Sequence, residues 1–113
     1  MTPPRWEIRL AEAAQNDFRS ILVWTAEHFG GAQARRYQDI LTEALMSLTD
    51  GPAPLGWKSR DDIAPGLCSL HVAKRGRPRR HVVLYRIEGA DVIGVVRILH
   101  DVMDPMRHIP SED

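Results

Sequence analysis

His100 follows an apolar run in the stretch RILHDVMD, which begins at Arg97. An imidazole titrates near neutral pH, so a histidine in this position could serve as a general acid or base in RNA cleavage. Cleavage without a metal ion also needs a second proton-transfer group and a cation for the phosphate. The residues that could in principle complete that set are Arg97, His81, Tyr85 and Arg86. Tyr85 and Arg86 are consecutive, however, and consecutive strand residues face opposite sides of a sheet. We therefore predict that the chain is not an enzyme, and the alternative role for His100 is a backbone hydrogen bond at a strand end.

Arg97 lies inside the apolar run itself, where an unpaired charge would cost several kcal/mol. It must therefore form an ion pair or reach solvent. Asp101 or Asp104 could pair with it at the sheet edge, and a direct contact with a partner molecule is the open alternative. Asp104 precedes Pro105, which disfavours helix and predicts a turn.

The most charged segment is AKRGRPRRH, from Ala73 to His81, in a chain whose 15 basic and 15 acidic residues cancel. A balanced total charge argues against a broad surface that coats nucleic acid. The tip of the segment, KRGRPRR, contains no aromatic residue on which a base could stack, which disfavours single-stranded nucleic acid. The segment is either a solvated turn or a contact surface for an acidic or phosphate-bearing partner.

No spacing of cysteines, histidines or carboxylates predicts a metal site, and the five histidines are scattered along the sequence. We therefore expect no metal and no cofactor. The single cysteine, Cys68, is predicted to be a small buried hydrophobe in a reducing compartment. No apolar run approaches the roughly 20 residues that span a bilayer, and MTPPRWEIRL lacks the pattern of a secretory signal. We expect a cytoplasmic chain with no membrane contact.

These residues must be positioned by elements that the hydrophobic periodicity predicts. Trp6, Ile8 and Leu10 alternate with polar residues, as in a strand with one buried face. From about Glu12 the apolar spacing changes to three and four, which predicts an amphipathic helix that ends at Gly30 and Gly31. A second amphipathic helix follows at once, with an apolar stripe from Ala34 to Leu48. Because the connection is so short, the two helices are predicted to form an antiparallel hairpin.

The second half of the sequence predicts strands. Asp50 to Asp62, which is rich in proline and glycine, is predicted to be a surface loop. A strand around Cys68 to Val72 and the strand HVVLYRI are joined by the basic turn, and VIGVVRIL is predicted to be an interior strand because β-branched residues fill both of its faces. The 113 residues thus predict a single α+β domain with two layers. Its order is β-α-α-β-β-β, with the helical hairpin packed on one face of a mainly antiparallel four-stranded sheet.

In this order of elements, nearly the whole chain resembles the RelE/ParE superfamily of bacterial toxins, and most of all its ParE branch. The most specific part of the resemblance is VVRILHDVMD, followed by Arg107 and His108. The blocks that carry the rest of it are AEAAQNDFRSILVWTAEHFG, ARRYQDILTEALMSLTDGPAPLG, APGLCSLHV and HVVLYRIEG.

The resemblance implies the toxin of a type II toxin-antitoxin system that inhibits DNA gyrase and is neutralised by a ParD-like antitoxin whose C-terminal segment folds onto it. The superfamily's alternative is a RelE-like endonuclease that cleaves messenger RNA on the ribosome. Direct sequence-specific binding of nucleic acid is not expected.

Trp24 lies beside the apolar stripe of the first helix, where core packing is the usual role, but a partly exposed Trp24 would anchor an antitoxin helix. The residues predicted to bind the antitoxin are Trp24, Arg36, Lys74, Arg75, Arg79, Arg80 and Tyr85. Those predicted to bind the target are Arg97, His100, Met103, Asp104, Arg107 and His108.

Overall fold

The computed structural model describes residues 5–74 and 77–100, with side chains described for 5–72 and 81–100. The order of elements is a short strand, two helices and then four strands. Two helices packed on one mostly antiparallel sheet confirm the predicted α+β class. Among the described residues, no helix is long and apolar enough to cross a bilayer.

The helical hairpin consists of α1 (Glu12–Phe29) and α2 (Gly31–Ser47). Only Gly30 separates the two helices, and its positive φ of 90° is a conformation that favours glycine because a Cβ would clash there. Gly31 was predicted to share in ending the first helix, but it is the first residue of α2. After α2 the chain makes one 3-10 turn, Leu48–Asp50, before it leaves the helical layer.

The sheet has five strands in the order β1-β5-β4-β3-β2. Their bounds are β1 (Glu7–Leu10), β2 (Trp57–Ser59), β3 (Cys68–Lys74), β4 (Arg77–Gly89) and β5 (Val92–His100). β1 pairs in parallel with β5, while the other pairs are antiparallel. The predicted interior position of the last strand is confirmed, since β5 lies between β1 and β4.

The count of four strands was wrong because β2 lies within the segment that was predicted to be a loop. β2 is only three residues long, follows two prolines, and pairs on one side only, with β3. All three of its residues are exposed, so the strand leaves no alternation of buried and exposed positions in the sequence. Backbone pairing alone, and not side-chain burial, makes this segment a strand.

The basic segment also differs from its prediction as a turn. β3 continues to Lys74 and β4 begins at Arg77, so most of the segment belongs to the two strands. Pro78 opposes Ala73 in this extension. Proline lacks the amide hydrogen that a central strand needs, but among the described residues β5 pairs with β4 only from His81 onward, so none of them pairs with β4 beside Pro78 on that edge.

The core has one part on each face of the sheet. The larger part lies under the helical hairpin, where Leu41 of α2 packs with residues such as Val83 and Ile93 of the sheet. The smaller part lies on the opposite face and consists of Leu67, Leu84, Val96 and Leu99, with Ile63, Ala64 and Val82 packed against it. The segment between β2 and β3 therefore covers the sheet face that the helices leave open.

That covering segment is folded by its own polar contacts. The carboxylate of Asp61 accepts a hydrogen bond from the Gly66 amide at 2.8 Å and another from the Ser59 hydroxyl at 2.9 Å. Both bonds favour the charged form and lower the pKa of Asp61, the bond from Gly66 most strongly. The Arg60 amide donates to the Leu67 carbonyl at 2.7 Å, which closes the turn that carries Ile63 and Leu67 onto the sheet.

A bulge in β5 changes which of its residues face the helical hairpin. Tyr85 opposes Val95 and the preceding residue, Leu84, opposes Arg97, so Val96 is one extra residue on β5. Before the bulge, Ile93 and Val95 face the helical hairpin, and after it Ile98 does. An even spacing of two would have placed Ile98 on the other face.

We expect Leu41→Ala to lower the free energy of unfolding by about 2–5 kcal/mol, because Leu41 is 1% exposed and its removal leaves a cavity between α2 and the sheet. Met46→Ala on the same helix is the control, since Met46 is 52% exposed and its loss should cost less than about 1 kcal/mol. Urea unfolding followed by circular dichroism measures both values. Equal losses in the two variants would contradict the core assignment.

Candidate functional site

Arg97, a predicted target-binding residue, is held by an ion pair with α1. Its Nε donates to Asp17 Oδ2 at 2.7 Å and its Nη2 donates to Asp17 Oδ1 at 2.8 Å. The two hydrogen bonds match the planar guanidinium to the planar carboxylate. Both side chains are mostly shielded from solvent, at 19% and 16% exposed. The hydrogen bonds to Asp17 raise the pKa of Arg97 above its already high ordinary value, so the guanidinium stays charged.

The same carboxylate closes an open edge of the sheet. β1 pairs with Val92 to Val95, and no other strand of the described residues lies beside the rest of β5 on that side. Asp17 Oδ2 accepts a hydrogen bond from the Ile98 amide at 3.0 Å, where a neighbouring strand would otherwise supply a carbonyl. Asp17 thus fixes α1 to the edge of β5 through one side chain and one backbone group.

We expect Asp17→Asn to lower the free energy of unfolding by about 2–3 kcal/mol, because it leaves the Arg97 charge without its carboxylate in a shielded position. Arg97→Met should cost less, and the double variant should cost less than the sum of the two, since the variants remove the same interaction. Chemical denaturation of the three variants gives the coupling free energy. Asp39→Asn, at an exposed position of α2, is the control. Additive losses would show that the pair contributes little.

His100 lies beside His81 and Tyr37, which come from two other elements. His81 and His100 are register partners on β4 and β5, and their ring centroids are 5.5 Å apart. The Tyr37 hydroxyl, from α2, lies 2.5 Å from His81 Nδ1. All three side chains are half-buried. The fold therefore joins two imidazoles and a phenol, groups that can donate or accept a proton, next to the end of β5.

Arg97, one of the cationic residues considered for catalysis, is engaged elsewhere. Arg97 directs two of its nitrogens to Asp17, and that ion pair neutralises the charge that a phosphate would require. Tyr85 is also excluded from a shared site with Arg86: its side chain is fully buried, whereas Arg86 is exposed. Of the residues proposed from the sequence for catalysis, the fold places His81 and His100 in contact.

Tyr85 must also be removed from the predicted antitoxin-binding residues. It is 0% exposed, it packs in the core under the helical hairpin, and its hydroxyl donates to the Pro52 carbonyl at 2.6 Å. Burial raises the pKa of the phenol, which therefore stays neutral. The alternation of β4 placed Tyr85 on a face, but that face is covered by the helices, so no partner can reach the side chain.

Trp24 has the exposure that an anchor for another protein needs. It is 49% exposed, its ring stacks on His28 with centroids 4.1 Å apart, and Phe29 meets it edge to face at 5.8 Å. Phe29 is even more exposed, at 63%. We call Trp24, His28 and Phe29 the aromatic surface. It lies at the end of α1 that adjoins Gly30, and apolar groups exposed together in this way are typical of protein contacts.

Of the remaining predicted site residues, Arg36 alone has a side chain that the structure describes. Arg36 is exposed on α2, and its Nε donates to Gln33 at 3.2 Å. The side chains of Lys74, Arg79 and Arg80 and the whole of Arg75 lie outside what the structure describes, as do the predicted tail residues Met103, Asp104, Arg107 and His108.

Asp17 and Tyr37 were not singled out from the sequence. Asp17 reads as one more polar residue on the outer face of an amphipathic helix, and Tyr37 as one more member of an apolar stripe. Their partners are 80 and 44 residues away along the chain. No local spacing could have revealed either contact. A weak signal for Asp17 was the requirement that Arg97 find a carboxylate.

Cys68 shows no sign of reactivity. It is partly buried against the main core, and desolvation raises the pKa of its thiol. Among the residues that the structure describes, no group of three or more histidines, cysteines and carboxylates could hold a metal ion.

Comparison with known proteins decides the family. The model of the family described as "ParE toxin of type II toxin-antitoxin system, parDE" matches residues 8–105. The chain belongs to this ParE toxin family. This ParE-type toxin is 32% identical to Toxin ParE1 of Mycobacterium tuberculosis (strain CDC 1551 / Oshkosh) over 100 residues, which are 88% of this chain and 94% of that protein. It is 30% identical to Toxin ParE of Escherichia coli, over 88% of this chain and 89% of that protein.

Solved structures share the fold of this ParE-type toxin. A chain of the chromosomal ParDE TA system from P. aeruginosa matches 84% of it, and 95% of that chain, with a TM-score of 0.67 and 19% identity. A chain of the toxin-antitoxin complex RelBE2 from Mycobacterium tuberculosis matches 90% of it, and 98% of that chain, with a TM-score of 0.56 and 20% identity. The predicted RelE/ParE-like architecture is confirmed.

Proposed function

We propose that this ParE-type toxin acts in the cytoplasm by binding DNA gyrase and that a ParD-like antitoxin neutralises it. The observation that carries the proposal is the family match over residues 8–105. The similar solved structures come from toxin-antitoxin systems, which supports an antitoxin as a partner of this chain. The antitoxin is expected to be encoded in a reading frame beside that of the toxin.

The aromatic surface is the part of the described structure best suited to the antitoxin. Exposed Trp24 and Phe29 form apolar contact area on the outside of a helix, and an amphipathic helix of a partner could bury both. Large aromatic side chains commonly dominate the binding free energy of such interfaces. A disordered antitoxin segment that folds on contact can cover a surface of this kind.

We propose that gyrase binds at the end of β5 and at the residues that follow it. His100 stands at the end of the strand, and Asp17 holds the preceding segment firmly through Arg97 and Ile98. Because the end of β5 is already held in place, a partner that binds there loses less entropy in ordering it. In this proposal Arg97 is a positioning residue, because its guanidinium pairs with Asp17.

Parallel assays test the mode of action. We expect the purified toxin to reduce DNA supercoiling by gyrase and to leave a reporter message intact during translation on ribosomes. Deletion of residues 103–113 removes most of the residues predicted to bind the target. The truncated toxin should no longer inhibit supercoiling but should still bind the antitoxin. Intact supercoiling in the presence of wild-type toxin would overturn the gyrase assignment.

A nuclease is the second candidate, and the contact of Tyr37, His81 and His100 favours it. These three groups could exchange protons with an RNA substrate and so supply the acid and the base that metal-free cleavage requires. Cleavage of the message that disappears in both His81→Ala and His100→Ala would establish this alternative over the first. Cleavage unchanged in these variants would indicate a contaminating nuclease.

We expect Trp24→Ala to weaken antitoxin binding about 30-fold or more, since truncation of a central aromatic anchor commonly costs 2 kcal/mol or more. Trp57→Ala is the matched control, because Trp57 is similarly exposed, at 41%, but lies on the edge strand β2. Isothermal titration calorimetry with the antitoxin gives both affinities. An equal effect of the two substitutions, or none at Trp24, would remove the aromatic surface from the interface.

A further inference from the structure

His81 and His100, which we call the histidine pair, meet edge to face across two neighbouring strands. They are direct register partners on adjacent antiparallel strands, and such partners have Cβ atoms only about 4.5–5.5 Å apart. Their rings are 5.5 Å apart between centroids and lie at 82° to one another. The roles considered above for these residues, target binding and proton transfer, involve no metal ion.

The separation of the rings agrees with the geometry of one shared ion. A zinc ion lies about 2.0–2.1 Å from an imidazole nitrogen, which places it roughly 3.2 Å from the ring centroid. Two imidazoles bound at a tetrahedral angle then have centroids about 5.2 Å apart. The observed 5.5 Å differs by a few tenths of an ångström, which small rotations of the side chains can supply.

Tyr37 provides an independent observation, because histidine ligands of metals nearly always hydrogen-bond through the other ring nitrogen. The Tyr37 hydroxyl lies 2.5 Å from His81 Nδ1 and so orients the ring from the side of α2. This contact leaves Nε2 as the nitrogen of His81 that would meet the ion. Each of the three side chains also has further contacts in the protein, so an ion must replace a proton or a hydrogen bond at each ligand nitrogen.

We propose that the histidine pair binds one borderline divalent transition-metal ion, Zn²⁺ or Ni²⁺, with Tyr37 as the residue that orients His81. Imidazole nitrogen favours these ions over Mg²⁺ and Ca²⁺, which prefer oxygen ligands. The described residues supply two protein ligands, and water completes the coordination. This differs from the metal-free chain expected from the sequence, in which the two histidines are 19 positions apart.

The bound ion would link β4 to β5 at the last described rung of their ladder. The two histidines are the last register pair among the described residues of these strands, and the ion would add a cross-link between them. An ion that binds the folded chain only must raise the midpoint of thermal unfolding. It must also compete with protons, because both imidazoles have to be neutral to bind metal.

Calorimetric titration of the full-length, tag-free toxin with ZnCl₂ or NiCl₂ at pH 7.5 tests the proposal. We expect one ion per chain, a micromolar dissociation constant and a rise of several degrees in Tm at saturation. MgCl₂ should give neither effect. At pH 5.5, below the ordinary pKa of histidine, binding should weaken at least tenfold.

Matched histidine variants locate the site. His81→Asn and His100→Asn should each weaken metal binding at least tenfold, while His71→Asn should not, since the register partner of His71 is Val82. Tyr37→Phe should weaken it severalfold and leave the stoichiometry unchanged. Unfolding curves recorded without metal show that each variant is folded.

The proposal fails if zinc and nickel leave the heat of titration and the Tm unchanged in the wild type. It also fails if the two pair variants bind as tightly as wild type, or if His71→Asn loses binding to the same extent. Each of these outcomes is independent of gyrase or antitoxin binding.

Discussion

The contact of Asp17 with Arg97 and the Ile98 amide is the constraint on which the relation between helices and sheet depends. β5 is paired by β1 over only its first residues, and beyond them its edge would expose an unsatisfied amide beside an arginine embedded in apolar sequence. One carboxylate satisfies both groups at 2.7–3.0 Å. Because both side chains of the ion pair are shielded from solvent, removal of either would leave the other charge without a partner. The ion pair therefore fixes α1 to the edge of β5.

The sheet has to bury apolar side chains on both of its faces, and two different parts of the chain cover them. The helical hairpin buries one face, and the segment between β2 and β3 covers part of the other with Ile63, Ala64 and Leu67. The bulge at Val96 shifts the alternation of β5, so that Ile98 faces the helical hairpin together with Ile93 and Val95. Asp61 stabilises the covering segment through hydrogen bonds to its charged form, so that segment does not depend on apolar contacts alone.

The two surfaces for which we propose binding roles lie at the margins of this packing. The aromatic surface is on the outside of α1, and the histidine pair is at the last described rung of the β4–β5 ladder. The proposed antitoxin and gyrase contacts use separate surfaces of one scaffold. The ion pair of Arg97 is part of that scaffold, which explains why the guanidinium of a residue predicted to bind the target pairs with Asp17.

Periodicity in the sequence determined the strand from Trp6 to Leu10, the two amphipathic helices, and the interior strand with apolar residues on both faces, because burial on one or two faces imprints a repeat on neighbouring residues. The short strand β2 is exposed and has no such repeat, so it could be recognised only from its pairing with β3 in the tertiary structure. The burial of Tyr85, the carboxylate for Arg97 and the meeting of Tyr37 with His81 were likewise decided by the tertiary structure. These contacts join residues far apart in the chain, and local spacing holds no information about which distant side chain folding will bring within hydrogen-bond distance.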